Sequence, residues 1–324
     1  MSFKQVKGQE QAISIIQKDL MGKSIFGTYL FTGPPGVGKK LVALNFAKAI
    51  NCKEKSIDSC DHCSSCQKID KLNHPDVQVT KAEGDSIKIE QTRELKRRME
   101  YKVYEGKKKI WILEDAEKLT IEAANSLLKF LEEPPSDVVI VLISSFPEKL
   151  PFTIVSRCKM VRFSLLSPQQ IKEFLKEKAI HPPKLIPLVS RLAKGRIGEA
   201  SYLINNEGTL REREKILNKL AEEGLNSEIF EIAKRWSKLE KDELNRFLDV
   251  ILFWFRDILI LKLGGTKELI INEDREEQLK KVKNRYSFLK VYSYIETVEQ
   301  TQRYLKANVS PLLALEGMWL KLVC

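Results

Sequence analysis

Three stretches of this chain gather residue types that do chemistry. The first is Gly33-Pro34-Pro35-Gly36-Val37-Gly38-Lys39-Lys40, which fits a phosphate-binding P-loop in seven of its eight places. Three glycines and two prolines bend the backbone so that successive N–H groups converge on one point, and the first turn of a following helix makes that point electropositive. Such a nest, with Lys39 beside it, suits the phosphates of ATP or ADP. The eighth place ordinarily carries Ser or Thr, whose hydroxyl helps hold Mg²⁺. Lys40 offers a cation no acceptor atom, so magnesium chemistry here is expected to be impaired. Two placements stay open for Lys40: folded over the loop into the phosphate site, or pointing into water. Occupation of the loop by ATP, ADP or nothing stays open as well.

The second stretch is Cys52, Cys60, Cys63 and Cys66, a C-x7-C-x2-C-x2-C array in an insertion rich in Lys, Ser and Asp. Four thiolates so spaced can close a tetrahedral zinc site, because each C-x2-C half presents two sulfurs to one ion. A redox pair and unpaired surface thiols are the competing readings. His62 lies inside the array but four thiolates already complete a shell, so it reads as a bystander, as do His74 and His181; Cys158 and Cys324 receive no ligand role. The third stretch is the apolar run Ile110-Trp111-Ile112-Leu113 closed by Glu114-Asp115. It has the pattern of a buried parallel strand that delivers carboxylates at its C-terminal end. In a P-loop protein that place holds the acid that contacts Mg²⁺ and the base that orients water. Ser144-Ser145, after the apolar run Val138 to Ile143, could reach a γ-phosphate or merely cap a strand.

These groups need a scaffold, and the spacing of apolar residues predicts one. A helix carrying Ala12, Ile13, Ile16 and Leu20 ends at Gly22, a strand runs from Tyr29 to Thr32, and a helix opened by Leu41, Val42 and Ala43 runs to about Ile50. Val77 and Val79, then Ile87 and Ile89, alternate with polar residues as short strands or strand entries; Glu90 to Tyr101 reads as a helix whose Arg93, Lys96, Arg97 and Arg98 form a solvated face. A helix from Ile121 to Leu131 stops at Glu132-Glu133-Pro134-Pro135, where proline forbids continuation. Strand-helix alternation of this kind means an α/β fold with a parallel sheet covered on both faces. From Phe163 the composition changes to short helices at Gln169–Lys178, Lys184–Ala193 and from Gly195-Arg196-Ile197-Gly198 onward. Beyond Asn205 everything reads helical, including Ile229–Trp236, Phe247–Leu263, Val291–Leu305 and Pro311–Leu322. The Phe253-Trp254-Phe255 cluster has no interleaved basic residues, so it reads as core or subunit interface rather than as a base-stacking platform.

A chain of 324 residues, 43% hydrophobic, can bury large cores in two or three domains. It contains no run long and apolar enough to span a membrane, and Met1 to Lys7 lacks the apolar core of a signal peptide, so a cytoplasmic location is expected. The net charge of +11 is carried by the N-terminal part: residues 1–205 hold 34 Lys/Arg and 24 Asp/Glu, residues 206–324 hold 21 and 20. Nucleic acid is one explanation of that excess and solvated lysines the other.

Taken in order, Gly8-Gln9-Glu10, the P-loop, the cysteine insertion, Ala124-Asn125-Ser126-Leu127-Leu128-Lys129-Phe130-Leu131-Glu132-Glu133-Pro134 and Ser156-Arg157-Cys158 resemble the clamp-loader branch of the AAA+ ATPases over essentially the whole chain. The resemblance implies a Rossmann-like AAA+ nucleotide-binding domain at 1–163 with its zinc insertion at about 52–66, a helical lid at 164–206, and an all-α collar at 207–324 through which five subunits form a ring. It implies partners too: motor subunits of the gamma/tau type and a delta subunit, and, through the assembled complex, a sliding clamp and primer-template DNA during replication.

Three positions depart from a motor subunit. Lys40 replaces the Mg²⁺-binding hydroxyl, Glu114-Asp115 stands where a motor has Asp-Glu, and the lid motif Gly-x-x-Arg ends here in Gly198, which carries no charge to sense a phosphate. Little or no ATP hydrolysis by the chain itself is therefore expected. Ser156-Arg157-Cys158 resembles the motif that projects an arginine finger into the next subunit's site, which makes Arg157 the expected contribution to catalysis. An ATP-hydrolysing motor-type subunit, a metal-dependent phosphotransferase and a self-standing nucleic-acid-binding protein are the alternatives.

Overall fold

The computed structural model of the protein describes residues 2–22, 25–54, 57–82, 84–177, 183–222 and 229–323. His181, Cys324 and Lys178, the expected end of one lid helix, lie outside the described residues. The chain divides into two compact units, Met1–Ile180 with Ala193–Ser201 and His181–Leu192 with Tyr202–Cys324.

The first unit begins α1 (Glu10–Met21), β1 (Thr28–Thr32), α2 (Lys39–Asn51), α3 (Ser64–Asp70), β2 (Val77–Thr80), α4 (Ile89–Glu100), β3 (Lys109–Leu113), α5 (Ile121–Glu132) and β4 (Val138–Ser144). It continues through α6 (Phe152–Val155), β5 (Lys159–Arg162) and α7 (Pro168–Glu177); α8 (Ile186–Leu192) belongs to the second unit, and the start of α9 (Ile197–Asn205) to the first. The helices of the stretch 164–206 are thus shared between the two units.

All five strands are parallel, in the order β2-β3-β4-β1-β5. Side chains alternate across a strand, so a sheet covered on both faces needs apolar residues at every position. Tyr29, Phe31, Ile112, Val141 and Ile143 join Val42 and Phe46 of α2 and Ile16 of α1 in one core. Leu30, Trp111, Leu113 and Leu142 pack with Leu95 of α4 and Leu127 and Leu131 of α5 in the other. Trp111 keeps its polar end satisfied there by donating Nε1–H to Thr80 Oγ1 at 3.0 Å. This topology sets the C-terminal ends of β1, β3 and β4 side by side, the place where an open α/β sheet takes its ligand.

One local expectation changes, and two elements appear that the pattern did not predict. Ile87 and Ile89 do not form a strand: Ile87 makes a single parallel bridge to Leu119, and Ile89 opens α4, whose first turn is closed by Lys88 and Gln91. β5 lacks an alternating or fully apolar sequence and pairs along the free edge of β1. The cysteine insertion contains the short helix α3.

The second unit is helical, with α10 (Glu207–Ala221), α11 (Ile229–Trp236), α12 (Lys241–Lys262), α13 (Glu276–Val282), α14 (Phe288–Lys306) and α15 (Pro311–Val323) following α8. Phe253, Trp254 and Phe255 of α12 are all buried, and Trp254 and Phe255 belong to a core shared with Trp236 and Trp319. Buried Arg213 forks onto Asp274 and donates to Asn272 Oδ1 at 2.8 Å. The buried Asp257 carboxylate accepts backbone N–H groups from Ile271 and Asn272; burial nevertheless pushes its pKa up.

Candidate functional site

The P-loop joins β1 to α2. Gly33, Gly36 and Gly38 all take positive φ, at 145°, 76° and 99°. Gly33 is required twice over, because a Cβ there would collide with the Phe163 carbonyl that follows β5. Gln9, buried just before α1, clamps the far side: its Nε2 donates to Val37 O at 3.3 Å and Ser164 O at 2.8 Å, and its Oε1 accepts from Ser164 N. The Gly8-Gln9-Glu10 signature is thus a brace that ties Val37 of the loop to the segment after β5.

Lys39 is 6% exposed. Its ammonium donates to the carbonyls of Gly33 and Pro34, the latter at 2.8 Å, and to Ser145 Oγ at 3.1 Å. Burial lowers its pKa to about 8, with the Glu117 and Asp115 carboxylates pulling the other way. Ser145, just after β4, thereby meets the ammonium of the loop lysine, while Ser144 Oγ accepts from Phe146 N and turns the chain at the strand's end.

Lys40 takes neither of the placements left open for it. Its Nζ lies 2.6 Å from Glu114 Oε1, a carboxylate only 18% exposed at the end of β3. Asp115 sits in the left-handed region at φ 51° and pairs with Lys118 at 3.2 Å. Both members of the acidic pair are therefore engaged by lysines. A third carboxylate, Glu117, was not singled out by pattern: its Oε1 accepts Ser145 N at 3.1 Å and its Oε2 is buried without a partner among the described residues. Its signal was weak, since it lies two residues past a conspicuous acidic pair and its partner comes from the distant segment after β4.

The start of α9 seats on the loop. Gly198 N donates to Gly36 O at 2.8 Å, so the glycine at the end of Gly195-Arg196-Ile197-Gly198 is in place but presents no side chain. Arg196 stands beside the same point: a Cβ on Gly36 would meet Arg196 Cβ at 3.4 Å. The Arg196 Nε is buried with no partner among the described residues.

The four cysteines converge. The sulfurs of Cys52, Cys60, Cys63 and Cys66 all lie within 4.8 Å of one another, with Cys60 and Cys66 4.0 Å apart. Tetrahedral zinc with Zn–S bonds of about 2.3 Å sets its sulfurs about 3.8 Å apart, so the residues fit the metal. Burial works against a thiolate at Cys60, Cys63 and Cys66, yet backbone N–H groups and neighbouring thiols bring Cys63 down to about 6 while Cys60 and Cys66 are pushed up. His62 is exposed and held by Glu54 at 2.8 Å. His74 is buried, with Ser65 Oγ at 3.1 Å and Asp76 N donating to its Nδ1, so it is neutral and structural. The insertion is tied to α2 by buried Lys48, which pairs with Asp61 at 2.7 Å and Asp70 at 3.0 Å.

Arg157 follows α6 and is partly exposed. Its Nε lies 3.3 Å from Glu132 Oε2 and its Nη1 donates to Thr153 O at 3.0 Å. Cys158 donates its thiol to Ile154 O, and burial raises its pKa to about 12, which leaves it inert. Arg93, Arg97 and Arg98 of α4 are exposed.

A family model described as DNA polymerase III, delta subunit, matches residues 8–167, and one described as DNA polymerase III, delta subunit, C terminal, matches residues 207–322. The DNA polymerase III subunit delta' of Bacillus subtilis is 30% identical over 306 residues, 93% of this chain and 92% of that protein. The Escherichia coli DNA polymerase III subunit tau is 33% identical over 208 residues, and the match spans 62% of this chain but 32% of tau. Among solved structures, a DNA polymerase III gamma subunit-related protein of Thermotoga maritima is similar at 22% identity and a TM-score of 0.44, covering 96% of this chain and 98% of that one.

Proposed function

The chain belongs to the DNA polymerase III delta-prime family of clamp-loader subunits, and we propose that it serves such a loader as a stator, hydrolysing little or no ATP itself and lending Arg157 to the adjoining motor subunit. The observation that carries this reading is the Lys40–Glu114 ion pair, 2.6 Å long. A P-loop ATPase holds Mg²⁺ between a hydroxyl at the first position and a carboxylate at the second. Here a cation occupies the first and neutralises the second, so the residues do not fit that metal. Gly198 supplies no sensing arginine to the phosphates, in line with the same reading.

Arg157 is permanently charged, and its planar fork matches phosphate oxygens. Its own fold holds it through one exposed ion pair and one carbonyl, contacts weak enough to exchange for a neighbour's phosphate. Residues 1–163 are the AAA+ domain in this proposal, 164–206 the lid and 207–324 the collar. The collar would assemble with gamma/tau motors and a delta subunit into a hetero-pentamer that places a sliding clamp on primer-template DNA. Cys52, Cys60, Cys63 and Cys66 would hold one structural zinc, folding the insertion.

Steady-state hydrolysis tests the proposal: the lone chain should turn over ATP negligibly beside a motor subunit. Brisk hydrolysis by the lone chain would restore the motor-type reading.

A further inference from the structure

The phosphate cradle and the metal position of this P-loop have parted company. The cradle is whole: three glycines hold their positive-φ turns, α2 begins at Lys39, and Lys39 is buried against the loop with its charge directed at carbonyl and hydroxyl oxygens that a phosphate would replace. The metal position is not. Mg²⁺ demands oxygen ligands in near-ideal octahedral geometry at about 2.0–2.1 Å. Position 40 now carries three N–H donors and a positive charge, seated on the Glu114 carboxylate at the end of β3.

An ammonium on that carboxylate does electrostatically what the metal does. It puts positive charge between an acidic side chain and the phosphate chain, and after Glu114 has accepted one of its hydrogens it still has donors for phosphate oxygens. Arg196, whose Cβ packs beside Gly36 and whose buried Nε has no partner among the described residues, adds a third cation next to the loop. We propose that the Lys40–Glu114 pair replaces Mg²⁺, so that this P-loop takes the phosphate chain of a metal-free nucleoside di- or triphosphate and Mg²⁺ weakens binding rather than supporting it. A metal-free phosphate chain brings more negative charge to Lys39, Lys40 and Arg196 than its magnesium complex does. The bound ion would also have to approach the Lys40 ammonium. The inference rests on the family reading only for the nucleotide part of the ligand.

The test is calorimetric titration of the full chain with ADP and with ATP, once in EDTA and once in excess Mg²⁺. Binding is expected in EDTA and about tenfold weaker with Mg²⁺, the scale of one charge-assisted hydrogen bond. Lys40→Thr should reverse that order, with folding checked by circular dichroism. Should that variant not fold, Lys40→Met, which keeps the length and drops the charge, is expected to lose about tenfold in EDTA. Binding that requires Mg²⁺, no binding in either buffer, or a folded variant that keeps the wild-type preference would overturn the inference. The stator reading stands or falls separately, on hydrolysis by the lone chain and by rings carrying an Arg157 variant.

Discussion

Arg157 and Glu132 face each other across the end of α5, Nε to Oε2 at 3.3 Å. The two come from the Ser-Arg-Cys and Leu-Glu-Glu-Pro segments, so the pair links the two most diagnostic stretches of the chain at one surface point. Glu132 is 58% exposed at its side chain, and ion pairs so wet contribute roughly 0–1 kcal/mol. The contact orients the guanidinium without committing it.

A finger that acts in trans should leave its own subunit unharmed when removed. Arg157→Ala is expected to keep the lone chain's thermal midpoint and its assembly into a ring, and to lower hydrolysis at the adjoining motor site by roughly 10³-fold, the scale of other arginine fingers. In a ring this appears as the loss of one site's share of turnover. Arg157→Lys should not rescue it, because a lysine cannot fork onto two phosphate oxygens. Unchanged turnover in rings shown by gel filtration to contain the variant would make the arginine structural.

Protein purified without added zinc should carry about one zinc per chain if four thiolates share one tetrahedral ion. Cys60→Ser should lose the metal and loosen α3. Because the ligands bind as thiolates, zinc should also leave as the pH falls and protons compete for sulfur. Mass spectrometry of the native chain at pH 8 and pH 5 reads both effects; a Cys60→Ser protein with its zinc intact would remove the site.

Short-range pattern explains what the sequence made legible. The loop, the cysteine array and the apolar runs within β1, β3 and β4 are each written in neighbouring residues, and the structure brings each together as a unit. The pairing of Lys40 with Glu114 was not legible, because it depends on β3 lying beside the start of α2 and on side-chain length rather than on any local spacing. β5 was missed for a related reason: Lys159-Met160-Val161-Arg162 has one buried residue, and its edge position asks for no alternation. The Ile87-Lys88-Ile89 alternation misled because the helix start at Lys88, where Gln91 Oε1 accepts the Lys88 N–H, outweighs a two-residue apolar signal.

The pKa of Lys39 makes two predictions of opposite sign. Burial lowers it to about 8 in the folded chain, from an ordinary value of 10.5. Keeping this lysine charged therefore costs stability below pH 8, and that cost is relieved as the pH climbs from 8 towards 10.5. A phosphate needs the proton, so nucleotide affinity should fall over the same range, by up to about tenfold per pH unit until the bound lysine itself titrates. Lys39→Met should abolish binding and stabilise the first unit at neutral pH. Titrations and urea melts between pH 7 and 10 check both, and affinity that stays flat across that range would show that Lys39 does not carry the phosphate.

Asp76 anchors the turn that leads into β3. Burial alone would raise its pKa, but N–H groups from Tyr104, Glu105 and Gly106, each at 2.8 Å, hold it below its ordinary value of 3.8. A carboxyl depressed in the folded state stabilises above its unfolded pKa, and that contribution disappears as the pH falls through the folded value. Asp76→Asn replaces one acceptor oxygen by a donor facing N–H groups, so it should cost about 1.5–3 kcal/mol at pH 7, the range for hydrogen bonds to a charged group. The gap between variant and wild type should then narrow as the pH drops below 3.8, since wild type loses the same charge by protonation. Amide exchange at Tyr104, Glu105 and Gly106 should quicken in the variant at pH 7. A stability gap that stays constant from pH 7 to pH 3 would mean that the loop is held by the packing of Asp76 and not by its charge.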